Sequence, residues 1–444
     1  MTPGLVVRLR PAGPWRVGPD SGARNRVDSI YHSDSVYAAV TSAMARLGMM
    51  EEWLNSTARS GEPAVSFSSC FPFLDEVSFV APPRTIWPPQ SPALMGARVR
   101  WKSARFVPLA MVQSLVAGIG PNEHAWSVDG PSECLVPANR PGPFRTAVRW
   151  SAAIDRRSGA AERHSIACLE FRAGAGLWLV AAFHDEPAWE RWRDPVKAAF
   201  RLLADSGFGG ERSRGWGRSA TPEFTEGALP DMILPPAKPA STEVIEPPTE
   251  TPEERIPEPT GIPGVAEEAD SPAVDTGDEA ISGTAEEKTP APPQLNGNGP
   301  VDQAGALAAN VTESAVGVLE LEAPEEVAEE PASQEPVPEP LPEEAPVVET
   351  GPRPHWLLSL FAPAGQDEMD WSRGNYSLVE RGGRIDSPAG SGELKKTLEM
   401  VAEGSVIYAA AVPRGAALDV APDGFPHPVF RAGFAVSVAL PEVS

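Results

Sequence analysis

Cysteine is scarce in this chain: three in 444 residues. Cys70, Cys134 and Cys168 are far apart and form no C-x-x-C pair. That excludes a disulfide framework and a zinc ribbon, and it suits a reducing cytoplasm. Histidine is equally thin. Beyond His32, the residues His124, His164, His184, His355 and His427 stand singly, so no metal cluster is readable. No Gly-x-x-x-x-Gly-Lys-Ser/Thr loop, His-Glu-x-x-His pair, Gly-x-Ser-x-Gly elbow or Gly-x-Gly-x-x-Gly after a strand occurs. Phosphate-loop, zinc-protease, hydrolase and dinucleotide chemistries lack their signatures. No metal site and no cofactor are expected. No apolar run approaches the ~18 residues of a membrane span. Met1–Arg10 lacks the charged-then-apolar order of a signal peptide.

Basic residues are also nearly missing from one long stretch. The whole chain has a formal net charge of -24. Residues 231–350 hold 28 of the 61 acids but only 3 of the 37 bases. The remainder carries 33 acids and 34 bases, close to neutral. The same stretch contains 21 of the 51 prolines and no Phe, Trp or Tyr. It cannot bury enough apolar surface to offset chain entropy, which predicts a disordered acidic tether. The predicted organisation is therefore a first folded part over 1–229, a linker over 230–352 and a second folded part over 353–444.

Glycine and arginine concentrate near the end of the first part. Residues 205–219 read DSGFGGERSRGWGRS. Gly207, Gly209, Gly210, Gly215 and Gly217 allow positive φ and close backbone approach. Consecutive amides in such a loop can face one anion. Arg212, Arg214 and Arg218 add planar cations suited to phosphate, with Ser213 between the first two. A helix over 194–206 is predicted to feed this loop, with Asp194 as N-cap and Pro195 in the first turn. The reading is a phosphate-backbone contact; a tight turn with solvated arginines is the alternative.

Elsewhere, Leu5, Val7 and Leu9 alternate as an opening strand. Val36 to Leu47 has helical spacing, with Ser33 or Asp34 as cap and Gly48 at the end. Leu177–Phe183 reads as a buried strand, and another strand is expected near 219–225. Strand, helix, strands, helix, strand is the order of a ferredoxin-like βαββαβ unit. In the second part, a strand starting at Trp356, a helix over 394–402 and strands over 406–412 and 434–440 suggest a second such unit. The fold class is thus α+β, with two ferredoxin-like (RRM-like) domains joined by the acidic Pro-rich segment.

Two basic clusters lie in the first part. Val77 to Asn122 contains no acid but holds Arg84, Arg98, Arg100, Lys102 and Arg105; Arg98, Arg100 and Lys102 would share one face if extended. The second holds Arg140, Arg145, Arg149, Arg156, Arg157 and Arg163. With Trp101 or Trp150 they offer single-stranded nucleic acid both charge and a stacking surface. A solvated face beside an acidic partner is the competing reading. His32, at a helix start, reads as a phosphate or ribose contact, as simple capping, or as a general base for RNA cleavage.

Gly207–Gly217 resembles the glycine-rich loop of the RAMP superfamily of CRISPR proteins, and within it the fourth Csm subunit of type III-A effector complexes. Further stretches resemble that family in order: His32-Ser-Asp-Ser-Val-Tyr37, Ser68-Ser-Cys-Phe-Pro-Phe73, Ile154-Asp-Arg156, Tyr376-Ser-Leu-Val-Glu-Arg-Gly-Gly383, Ala402-Glu-Gly-Ser405 and His427-Pro-Val-Phe-Arg431. The resemblance implies a non-catalytic, cytoplasmic RNA-binding subunit that holds the 5′ tag of the crRNA. It implies as partners the large polymerase-like subunit and the backbone RAMP subunit of the Csm filament. It also implies tag contacts at Ser33, Asp34, the Gly207–Gly217 loop and the hairpin around Arg156, with His32 a weaker assignment. The enzymatic alternative is a metal-independent endoribonuclease that processes precursor crRNA with His32 as base. A third reading makes the acidic stretch the working part, docking a basic partner.

Overall fold

The computed structural model describes residues 2–18, 23–90, 95–154, 156–235, 351–387 and 390–441. The predicted acidic tether lies, beyond its first residues, outside the described residues. The described segments on either side of it belong to one compact unit.

The first part runs β1 (Thr2–Leu9), α1 (Ser33–Arg46), α2 (Met50–Ser56), β2 (Val65–Phe67), β3 (Phe71–Leu74), β4 (Val77–Val80), α3 (Met95–Trp101), β5 (Val107–Pro108), α4 (Leu109–Val116), β6 (Trp126–Asp129), β7 (Cys134–Pro137), β8 (Phe144–Ile154), β9 (Ala161–Phe171), β10 (Ala175–Phe183), α5 (Glu186–Ser206) and β11 (Glu223–Leu229). Its main sheet is antiparallel with the order β11-β1-β10-β3-β4-β5, and β2 also pairs with β10. The central strand β10 is almost wholly buried, as an apolar run between two neighbours should be. In β1, Leu5, Val7 and Leu9 all face the core. The helices α1 and α5 pack on each other, and α5 also rests on β1 and β10. The long hairpin β8–β9 is a separate two-stranded ribbon.

Two expectations in this part are corrected. Helix α5 begins at Glu186, not Asp194. Asp185 is its N-cap and accepts from the Ala188 amide at 2.8 Å. The apolar stripe Ala188, Trp192, Val196, Ala199, Phe200 and Leu203 is buried along its whole length, and that burial carries the helix through Pro195. Arg98, Arg100 and Lys102 do not share a strand face. Met95–Trp101 is a helix that buries Trp101 against Trp87, with ring centroids 5.8 Å apart.

The second part is β12 (Arg353–Leu357), β13 (Met369–Asn375), β14 (Leu378–Arg381), β15 (Arg384–Ser387), β16 (Gly390–Leu394), β17 (Leu398–Val401), β18 (Val406–Ala409), β19 (Ala417–Asp419), β20 (Phe430–Ala432) and β21 (Ser437–Ala439). One four-stranded antiparallel sheet, β13-β18-β12-β21, is accompanied by the pairs β14–β17, β15–β16 and β19–β20. The helix expected over 394–402 is not there: its residues end β16 and form β17. Pairing of Leu398–Val401 with Leu378–Arg381 and burial of Met400 and Val401 override the local helix propensity of a Leu-Lys-Glu-Met stretch. No helix occurs among the described residues of this part. The whole is a mixed helix-and-strand fold with antiparallel sheets. One apolar cluster runs through both parts, joining Phe67, Phe200 and Trp53 with Trp356, Val406, Phe434 and Val438.

Candidate nucleic-acid interface

The glycine-rich loop is held by the segment that follows β1. Gly210 donates to Arg16 O and Gly217 to Pro14 O, both at 2.9 Å. Within the loop, Phe208 donates to Gly217 O, Arg214 to Glu211 O and Gly215 to Arg212 O. The glycines are demanded by these close approaches. A Cβ on Gly209 would lie 2.3 Å from Arg16 O, and one on Gly217 would lie 2.0 Å from Phe208 O. Gly215, at φ +80, meets nothing within 4 Å. Phe208 is buried and stacks on Trp15 with centroids 5.1 Å apart. The amides of Gly207, Phe208, Gly210, Arg214, Gly215, Trp216 and Gly217 already serve backbone carbonyls. The exposed chemistry is in the side chains of Arg212, Ser213, Arg214 and Arg218. Arg214 is held loosely by Glu211 at 3.2 Å.

Arg16, which sequence reasoning passed over, supports this loop from beneath. It is 8% exposed, and its guanidinium donates to the carbonyls of Ala167, Arg24 and Ala23 at 2.9–3.1 Å. Burial lowers its pKa.

His32, Ser33 and Asp34 are not on this surface. All three are buried at the start of α1, where they hold the second part of the chain. His32 occupies the N-cap position without a side-chain capping bond. Its Nδ1 lies 2.7 Å from Glu403 Oε1 and its Nε2 3.3 Å from Asp28 Oδ2. Ser33 Oγ accepts from the Leu360 amide at 3.0 Å, and the Ser33 amide donates to Ser69 Oγ at 2.8 Å. Ser69 in turn donates to Glu403. Asp34 receives Arg381 through two nitrogens, at 2.9 and 3.1 Å, and Arg431 besides. Burial alone would lower the His32 pKa, but the facing Glu403 carboxylate and the Asp28 bond push it up to about 9. Burial works the other way on Asp34, where Arg381 and Arg431 prevail and hold its carboxyl well below the usual range. Asp28 and Glu403 are likewise depressed against the push of burial, chiefly by His32. A protonated imidazole wedged between two carboxylates has no lone pair for a substrate proton, so the general-base reading of His32 is corrected.

The hairpin β8–β9 carries the exposed basic and aromatic residues. Alternation along β8 puts Val148, Trp150 and Ile154 on one face, exposed by 51%, 64% and 67%. The Arg163 guanidinium lies over the Trp150 ring, 4.8 Å from its centroid. On the other face Arg145 and Arg149 share Glu170, at 3.1 and 2.6 Å. Arg156 is exposed in the turn. The hairpin touches the glycine-rich loop where an Arg214 nitrogen donates to Ser151 Oγ at 3.4 Å. Trp101, the other stacking candidate, is fully buried. In its cluster Arg105 is committed to Asp28, Arg100 to Glu123 and Arg84 to Ser377. Among the described residues no group of three or more His, Cys, Asp or Glu could hold a metal, and no helix is long and apolar enough to cross a membrane.

Residues 353–440 match the family model described as the CRISPR Csm4 C-terminal domain. No curated protein matches. One similar solved chain, 11% identical with a TM-score of 0.50 and all of both chains covered, comes from a crystal structure of a Csm3–Csm4 subcomplex in the type III-A CRISPR-Cas interference complex. Another, 12% identical with a TM-score of 0.45 over all of this chain and 99% of that one, comes from a Csm1–Csm4 cassette in complex with cA4. At 11% identity the likeness to the Csm3–Csm4 chain is one of fold.

Proposed function

We propose, from the match of residues 353–440 to the Csm4 C-terminal domain, that this protein is a Csm4-type subunit of a type III-A complex and holds the 5′ tag of the crRNA without cutting it. We propose further that it bridges the large polymerase-like subunit to the backbone RAMP filament in the cytoplasm. In this reading 1–229 and 353–444 are two RRM-like units and 230–352 is the connection between them. The observation that carries the proposal is the junction of the loop with the hairpin. Arg214 of the glycine-rich loop reaches Ser151 of the hairpin, next to Trp150, whose ring is exposed and capped by Arg163. Ser151 lies on the face of Arg145 and Arg149, opposite Trp150, so cations for phosphates and an aromatic plane for an unstacked base stand on the two faces of one ribbon beside the loop, and these are the two kinds of group that grip single-stranded RNA.

The division of labour differs from the one the resemblance implies. Arg212, Ser213, Arg214 and Arg218, with Arg156 and Arg163 of the hairpin, are the side chains assigned to the tag. The glycines set the shape of the loop. His32, Ser33 and Asp34 act indirectly, by fixing the second part of the chain against the first. The endoribonuclease alternative loses its base, because His32 is protonated and enclosed.

The test is a filter-binding titration of crRNA tag oligonucleotide against wild type and the Arg212→Ala/Arg214→Ala double variant. Weaker binding is expected, with the slope of log affinity against log salt reduced by about 1.4, since each phosphate contact to a single strand contributes about 0.7. Unchanged affinity and slope would remove the loop from the interface.

A further inference from the structure

We infer that Arg16 is a positioning residue for RNA binding: it sets the β8–β9 hairpin at a fixed angle to the glycine-rich loop and touches no RNA itself. The inference rests on the RNA-binding reading above and adds the device that brings loop and hairpin into register.

The loop and the hairpin meet directly through Arg214 and Ser151 at 3.4 Å, long for a hydrogen bond. Residues 14–16 lie between them and bond to both. On one side Trp15 and Leu169 of β9 exchange backbone hydrogen bonds at 3.0 and 2.8 Å. On the other side Gly210 and Gly217 of the loop donate to Arg16 O and Pro14 O. The Trp15 indole also donates to Arg218 O at 3.2 Å, and its ring stacks on Phe208.

Arg16 closes this arrangement from the interior. Its guanidinium donates to the Ala167 carbonyl of β9 at 2.9 Å and to those of Arg24 and Ala23 at 3.0 and 3.1 Å. The Ala167 amide in turn donates to Arg24 O at 2.8 Å. One residue thus holds the loop by its carbonyl and the base of the hairpin by its side chain. Among the described residues its partners are carbonyl dipoles, with Glu211 favouring the charge through space. Burying a charge in this way is costly, and only the planar fork of arginine delivers donors to three carbonyls at once.

The length of the hairpin makes the angle matter. β9 is buried over Ile166–Leu169 and exposed nearer the turn. Ala167 pairs with Val148, eight positions before Arg156. At about 3.4 Å per residue the turn stands about 27 Å from the clamp, so a tilt of about 10° at the base moves Arg156 by about 5 Å. A shift of that size takes the turn off a strand held at the loop.

The test uses the full chain with Arg16→Lys and Arg16→Gln. Lysine keeps the charge but presents all its donors from one atom; glutamine removes the charge. Wild type and both variants carry nitroxide labels at Ser158→Cys in the turn and Glu190→Cys on α5, two exposed positions, the native cysteines being buried. Pulsed electron resonance should give one narrow distance with Arg16 and a distribution at least twice as broad in both variants. Anisotropy titration of a fluorescein-labelled oligouridine 12-mer should show affinity lowered about tenfold, comparable to losing one base–aromatic stack. The slope of log affinity against log salt should stay that of wild type even in Arg16→Gln, because every surface cation remains. An unbroadened distribution or undiminished affinity in the variants overturns the inference. A slope reduced by about 0.7 in Arg16→Gln also overturns it, by placing Arg16 on a phosphate. Loss of the native circular dichroism in both variants overturns it too, by assigning Arg16 to the stability of the whole fold. Those outcomes leave RNA binding standing; failure of wild type to bind the oligomer overturns both.

Discussion

Asp34 and Arg381 are 347 positions apart in the chain and meet as a buried two-point ion pair, with N–O distances of 2.9 and 3.1 Å. Arg431 donates to the same carboxylate from a third direction. Two strands of the second part, β14 and β20, are thereby tied to the first turn of α1. Burying three charged groups is tolerated only because each faces an opposite charge.

Asp34→Ala removes the carboxylate that faces two buried guanidinium groups. A loss of about 3–5 kcal/mol is expected, read as a lower urea midpoint with the second part of the chain detached. If the midpoint falls by less than about 1 kcal/mol equivalent, the pair is not what holds the parts together.

The same junction sets a pH dependence. His32 has its folded pKa raised from 6.5 to about 9, so its contribution is fully present below pH 6.5 and is lost as pH rises through about 9. Asp28, Asp34 and Glu403 are depressed; their contribution is present above the ordinary carboxylate range and is lost as pH falls beneath it. Denaturation midpoints from pH 3 to 10 should describe a dome. The alkaline limb should flatten in His32→Gln, and an unaltered limb there would assign it to another group.

The glycines of the loop should differ in cost according to what surrounds them. Gly215→Ala pays only for a left-handed alanine, about 1 kcal/mol. Gly217→Ala adds a Cβ 2.0 Å from Phe208 O at φ +77 and should cost clearly more. Chemical denaturation of the two variants side by side decides it; equal losses would contradict the close approach.

Trp150→Ala removes an exposed ring, so stability should stay within about 0.5 kcal/mol of wild type. Affinity for single-stranded RNA should fall by about 1–3 kcal/mol, the worth of one base–aromatic stack. Calorimetric melting together with an anisotropy titration separates the two effects.

Several elements were legible from local pattern because one face of each is buried. β1, β10 and α1 show their period in the positions of Leu5, Val7, Leu9, Leu177–Phe183 and Val36–Met44. The start of α5 was not legible. Asp185-Glu186-Pro187 and Asp194-Pro195 carry the same N-terminal signals, and only the burial of Ala188 and Trp192 decides between them. Leu398–Val401 has helical composition and became a strand because Leu378–Arg381 offered it a ladder. Trp101 and Trp150 were equivalent as aromatic residues among arginines, yet one is stacked in the core on Trp87 and the other stands 64% exposed.

Composition and order alone determined where the charge of this protein resides, that residues 231–350 are acidic and free of aromatics, and that a glycine–arginine loop follows a helix. They also determined the motif islands that resemble a known family. Only the tertiary structure decided what those islands do. His32-Ser33-Asp34, Ser69, Arg381, Glu403 and Arg431 converge on one buried junction, while the loop arginines and the hairpin remain exposed. A charged residue has the same local pattern whether it faces water, a phosphate or a partner hundreds of positions away. The pairing energy depends on separation in space, which the chain acquires only on folding.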